Sequence, residues 1–133
     1  IDAADSVLFK KGETYFLFTN EKIGSYHGSL NVYYSQDLLA DKWLPHNNNP
    51  IEVKYGSRNG GFLQTKRSFV LPRQFYDFTS YGDFINFYEL KEISEQRVRF
   101  KLFEGIIQEY LKNAHHYSCI GSIEVYDKKV ILN

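Results

Sequence analysis

Methionine is absent from the 133 residues, and cysteine occurs once, at Cys119. A lone cysteine excludes an intramolecular disulfide and fits a reducing, cytoplasmic compartment, although a secreted bacterial protein can equally lack disulfides. A chain that opens Ile1-Asp2 without an initiator is expected to be a trimmed product, with more sequence N-terminal to it. No apolar run approaches the roughly 20 residues of a membrane helix, and no basic-then-apolar signal opens the chain. Neither sign of charge is in excess: Lys+Arg and Asp+Glu number 16 each, for a formal net charge of zero. The broad positive field that nucleic acid or anionic membrane exploits is therefore missing, although balance leaves room for local basic patches.

What the chain has instead is aromatic side chains, 17% of its residues, with 11 Tyr and 11 Phe against one Trp. Flat rings suit a pleated, half-buried surface, so the bias reads first as sheet packing and second as a platform for sugars or bases. Short runs with turn punctuation bear this out along the chain. Val7-Leu8-Phe9, the Lys11-Gly12 turn and Tyr15 to Phe18 come first. In Leu30 to Ser35, alternation puts Leu30, Val32 and Tyr34 on one face and Asn31, Tyr33 and Ser35 on the other. A short segment around Trp43-Leu44 follows, and Pro45 to Pro50 then break regular structure.

The pattern then restarts with Gly61 to Gln64, Phe69 to Leu71, Phe84 to Leu90 and Arg97 to Leu102. The last run predicts a strand with Val98, Phe100 and Leu102 inward and Arg97, Arg99 and Lys101 solvated, a charged edge that discourages aggregation. A third cycle opens at His115-His116-Tyr117, continues through Ile123 to Tyr126, and turns at Asp127-Lys128 into Val130 to Leu132. Segment 104–113 reads as a connection, with Ile106, Ile107, Tyr110 and Leu111 able to line a short helix.

Leu8 with Leu63, Tyr33 with Tyr88 and Trp43 with Val98 share one offset, close to the roughly 50 residues of a propeller blade. The expectation is an all-β fold of four-stranded blades, about 5–55, 58–105 and a partial 114–133. Two and a half blades do not close a ring, so apolar blade faces are expected to associate with the rest of a parent chain or with other copies. A β-sandwich with regular strand spacing produces the same rhythm.

Several clusters resemble a known pattern. Asp5-Ser6-Val7-Leu8-Phe9, Gly12 and Tyr15 to Phe18 resemble the blade opening of five-bladed propeller glycosidases and fructosyltransferases, with Ser6 where that motif usually has Pro. Leu30 to Leu39, Trp43, Pro45-His46 and Asn49-Pro50-Ile51 are similar to the propeller domain of plant glucosamine inositolphosphorylceramide transferases and of bacterial relatives attached to formyltransferase-like domains. The likeness continues through Arg58-Asn59-Gly60-Gly61, Arg73-Gln74, Tyr81-Gly82 and Ile85 to His115-His116-Tyr117 and Val125-Tyr126-Asp127. Two departures stand out: Pro72 precedes Arg73-Gln74 instead of falling between Arg and Gln, and Thr19-Asn20 precede Glu21 where relatives often carry the acid at once. The resemblance implies an incomplete five-bladed propeller that processes or recognises carbohydrate, or a non-catalytic scaffold beside a transferase.

Glycoside hydrolysis ordinarily needs paired carboxylates. Among Asp5, Glu21, Asp37, Asp77, Asp83 and Glu89, only Asp5 aligns with a blade-opening acid, and as a lone Asp it is more often a turn residue. Arg58 and Arg73 are better placed for binding, because a guanidinium offers five fixed donors to hydroxyls, carboxylates or phosphates. Gly60-Gly61 beside Arg58 would let a ligand approach the backbone. Gln74, Asp77 and Tyr81 are expected at the same mouth. The bland alternative is that both arginines pair with acids and lock neighbouring blades. Adjacent His115 and His116 point to opposite strand faces, so at most one would face a central funnel, and no His-x-His or Cys-His spacing supports zinc. The resemblance nevertheless allows one of them near a central structural cation in a complete propeller, with no other cofactor expected. Cys119 reads as a small packed residue, and no catalytic triad, phosphate-cradling loop or nucleotide fingerprint is present.

Overall fold

The short apolar runs of the sequence, alternating or continuous, fall largely within strands. The structure, a computed structural model, describes residues 3–23, 26–51, 53, 58–76, 81–102, 123–126 and 129–132. Among them every regular element is a strand, and no helix is long and apolar enough to cross a membrane. The first sheet is an antiparallel meander of β1 (Ala3–Lys11), β2 (Thr14–Ile23), β3 (Tyr26–Ser35) and β4 (Leu44–Pro45), in that order. Its first turn is the expected one: Lys11 pairs with Thr14, and Gly12 takes φ +58°, the left-handed backbone that a two-residue hairpin turn requires.

The second sheet repeats the plan. Its strands are β5 (Arg58–Asn59), β6 (Leu63–Gln64), β7 (Phe69–Tyr76), β8 (Tyr81–Ile93) and β9 (Val98–Leu102), with β5 and β6 both lying along β7. The 55-residue offset carries Leu8 of β1 to Leu63 of β6 and Tyr33 of β3 to Tyr88 of β8. A separate hairpin joins β10 (Ile123–Tyr126) to β11 (Lys129–Leu132), with Tyr126 opposite Lys129. Segment 104–113, His115, His116 and Cys119 lie outside the described residues.

Pro72 explains why the edge of the second sheet is split. The sequence pattern ends a strand at Leu71, yet β7 runs through Pro72 to Tyr76. Proline has no N–H for a ladder bond, and residues 60–62, beside it, belong to neither β5 nor β6. Gly60 donates its N–H to Pro72 O at 2.8 Å, and a Cβ on Gly60 would lie 3.3 Å from the Pro72 Cβ. The missing side chain at Gly60 therefore makes room for the proline ring, whereas Gly61 has open space around it.

The two sheets share one apolar layer. Phe9, Phe16, Phe18, Leu30 and Val32 come from the first, and Leu71, Leu90, Ile93 and Val98 from the second region, all buried. Phe62, released from the ladder beside Pro72, packs its ring 5.1 Å from Phe9, 5.0 Å from Phe18 and 6.4 Å from Phe100. Tilted, edge-on and stacked contacts of this kind add about 0.5–1.5 kcal/mol each beyond the area they bury.

Polar side chains in the connection after β4 fasten the sheets together. Asn49 mimics a strand residue: its Oδ1 accepts from Val32 N and its Nδ2 donates to Val32 O, both at 2.8 Å. The Nδ1 of buried His46 accepts from Asn48 N at 3.0 Å, which leaves the proton on Nε2 to donate to Ser94 O at 2.9 Å, just past the end of β8. Asn48 Oδ1 in turn accepts from Val98 N at 3.0 Å. The Pro45-His46 and Asn49-Pro50-Ile51 pattern is thus a joint between sheets.

Candidate functional site

At the end of the sheets where β1 begins, polar residues replace the apolar layer. β1 is irregular between Ala4 and Val7, and within that irregularity Asp5 adopts φ 48°. Left-handed backbone is unfavourable for most side chains, and Asp is among the residues that tolerate it. The bend turns the Asp5 carboxylate toward β5, where Arg58 Nη1 donates to its Oδ2 at 3.0 Å. Both side chains of this ion pair remain about two-fifths exposed, 40% for Arg58 and 39% for Asp5. Asn59 reinforces the bend by donating from Nδ2 to Asp5 O at 3.2 Å.

Beneath that pair lies a buried layer. Arg73 and Asn20 are both 0% exposed. Arg73 stands opposite Asn59 in the β5–β7 ladder and reaches across to the first sheet. Its Nη1 donates to Asn20 Oδ1 at 2.7 Å and also to Asn59 Oδ1, and its Nη2 donates to Gly28 O at 3.4 Å. Asn20 closes the circuit by donating Nδ2 to Ala4 O at 3.3 Å. Strands β1, β2, β7 and β5 are therefore linked in a ring of hydrogen bonds. An arginine keeps its charge at any ordinary pH, so burying it demands such oxygens around it.

The sequence-level candidates are distributed as follows. Asp5, Arg58 and Arg73 come together at this junction. Gln74 is buried and follows Arg73 directly in β7, so strand alternation directs it to the other face. Tyr81 begins β8 with its backbone opposite Tyr76, and Asp77 lies outside the described residues. Of the other carboxylates, Glu21 accepts from the Tyr33 hydroxyl at 2.5 Å, Asp37 Oδ1 accepts from Leu39 N in its own turn, and Glu89 pairs with Lys91 at 2.6 Å. Among the described residues no group of three or more His, Cys, Asp or Glu could hold a metal ion.

The residues that sequence reasoning passed over are the amides Asn20 and Asn59. Their signal was available, because Asn is depleted in strands and Asn20 ends the run Phe16-Leu17-Phe18-Thr19 inside one. Comparisons of the chain with protein-family models, curated proteins and solved structures return no match.

Proposed function

We propose that the two stacked meanders are consecutive blades of a β-propeller, and that their polar junction recognises a carbohydrate. The antiparallel meander order of the two sheets, their shared apolar layer and the sequence resemblance support the blade reading. One observation carries the recognition reading. The half-exposed Asp5–Arg58 pair is held in fixed orientation over the buried Arg73 layer. A carboxylate beside a guanidinium presents acceptors and donors together, the combination that a ring of sugar hydroxyls matches. Recognition is favoured over turnover because Asp5 is the carboxylate that the described contacts bring into the junction, and hydrolysis calls for two.

A second reading has its own support. Arg73 is fully buried and its contacts tie one sheet to the other, as in a scaffold domain beside a transferase. Titration of the chain against a panel of neutral oligosaccharides separates the two. Binding that disappears in Arg58→Ala while the melting temperature holds supports recognition. No binding to any sugar, or binding indifferent to Arg58→Ala, leaves the scaffold reading standing.

A further inference from the structure

We propose that a second site, at the opposite end of the strands, binds a small multivalent oxyanion bearing phosphate or sulfate groups. A groove of about 580 Å³ lies between the β1–β2 turn, the loop from β6 to β7 and the last residues of β8. Phe9, Phe69 and Leu90 contribute apolar lining. Lys11 is six residues along β1 from Asp5, about 20 Å at strand rise, so this inference does not rest on the carbohydrate reading.

Charge distinguishes the groove from the rest of the molecule. The whole chain is neutral, yet among the described residues the lining contains Lys10, Lys11, Lys66, Arg67 and Lys91 against one acid, Glu92. That acid is shared by two arginines outside the groove, Arg97 at 3.4 Å and Arg99 at 3.8 Å. Lys91 is paired with Glu89, but Lys11 and Lys10 are engaged by uncharged groups that leave their charge in place. Lys11 Nζ donates to Ile93 O at 2.9 Å, and Lys10 Nζ sits 4.9 Å over the Tyr15 ring. Cationic side chains therefore outnumber acidic ones among the residues that line the groove.

The loop that carries Lys66 and Arg67 is tied together by its own hydrogen bonds. Thr65 Oγ1 accepts from Arg67 N at 3.2 Å and Ser68 N at 2.9 Å, and Thr65 N donates to Ser68 O at 2.8 Å. Preordering lowers the entropy lost on binding. Ammonium groups act on phosphate or sulfate as point charges, and the guanidinium of Arg67 adds a two-pronged donor. A volume of this size suits a small molecule, and several cations call for several negative charges.

The test is isothermal titration of the full chain with sodium tripolyphosphate in one arm and a sulfated disaccharide in the other, at low and at physiological salt. Saturable binding in either arm that weakens with salt is expected, and the arm that binds identifies the anion source. The Lys66→Glu/Arg67→Glu variant should lose about tenfold or more in affinity with its unliganded melting temperature unchanged, since both residues are exposed. The Lys42→Glu/Lys101→Glu variant makes the same charge change outside the groove and should bind like the parent. Binding in neither arm, binding unaffected by the groove substitutions, or equal loss in both double variants overturns the proposal.

Discussion

Arg73 and Asn20 meet across the two sheets with no solvent on either: the guanidinium Nη1 donates to the amide Oδ1 at 2.7 Å, and both residues are 0% exposed. A buried charge held this way contributes little relative to an apolar pair of the same shape. Breaking it is another matter, because the partners left behind stay buried and unsatisfied.

That asymmetry sets the first prediction. Arg73→Ala should destabilise the fold by about 3–5 kcal/mol, since it opens a cavity and strands the Asn20 and Asn59 carbonyls. Asn20→Ala should cost less, about 1–3 kcal/mol, because Arg73 keeps Asn59 and Gly28 as acceptors. The double variant should fall short of the sum by about 0.5–3 kcal/mol in urea unfolding. Strict additivity would mean that the two residues do not act through one another.

Only part of this network was legible in the sequence. Strands β3 and β9 could be read because Leu30, Val32 and Tyr34, and Val98, Phe100 and Leu102, alternate with polar neighbours on a half-buried sheet. β7 could be read only as far as Leu71, because Pro72 argues against a central strand until the split edge beside it is seen. Arg58 and Arg73 looked alike as guanidinium donors. Burial separates them, one exposed beside Asp5 and the other sealed between sheets, and burial depends on packing far away in sequence. His46 and Asn49 stood out as a pattern, but which backbone groups they serve appears only once β3 and β8 are in place.

Arg58 should behave unlike Arg73. Its ion pair with Asp5 is exposed at 40% and 39%, where solvent screening leaves a pair worth about 0–1 kcal/mol. Arg58→Ala is therefore expected to shift unfolding by less than about 1 kcal/mol, with the difference shrinking further as salt rises. A loss as large as that of Arg73→Ala would show that Arg58 is a structural member of the ring.

Asn49 offers a local test of the joint between the sheets. Its side chain supplies both hydrogen bonds that a neighbouring strand would give Val32, but His46 N also donates to Val32 O at 2.9 Å. Asn49→Ala therefore orphans the Val32 N–H above all, at a cost of about 1–3 kcal/mol. Hydrogen exchange should show the Val32 amide losing protection first, ahead of residues in the middle of β2. Protection of Val32 that outlasts the substitution would mean that another acceptor reaches it.

Tyr33 and Glu21 make a prediction at high pH. The hydrogen bond to the Glu21 carboxylate, then burial, then the Glu21 charge push the Tyr33 phenol from 10.0 up to about 12. The folded value lies above the unfolded one, so the stabilisation is fully present below about pH 10 and disappears as pH rises from there through about 12. With 11 tyrosines in the chain, the signal has to be a difference. Phenolate absorbance titrated in parallel on the parent and Tyr33→Phe should differ by one group ionising near pH 12. Glu21→Gln removes the charge and the strong acceptor, and should bring that group down toward the ordinary tyrosine value. A difference curve already centred at the ordinary value in the parent would mean that Tyr33 does not donate to Glu21 in solution.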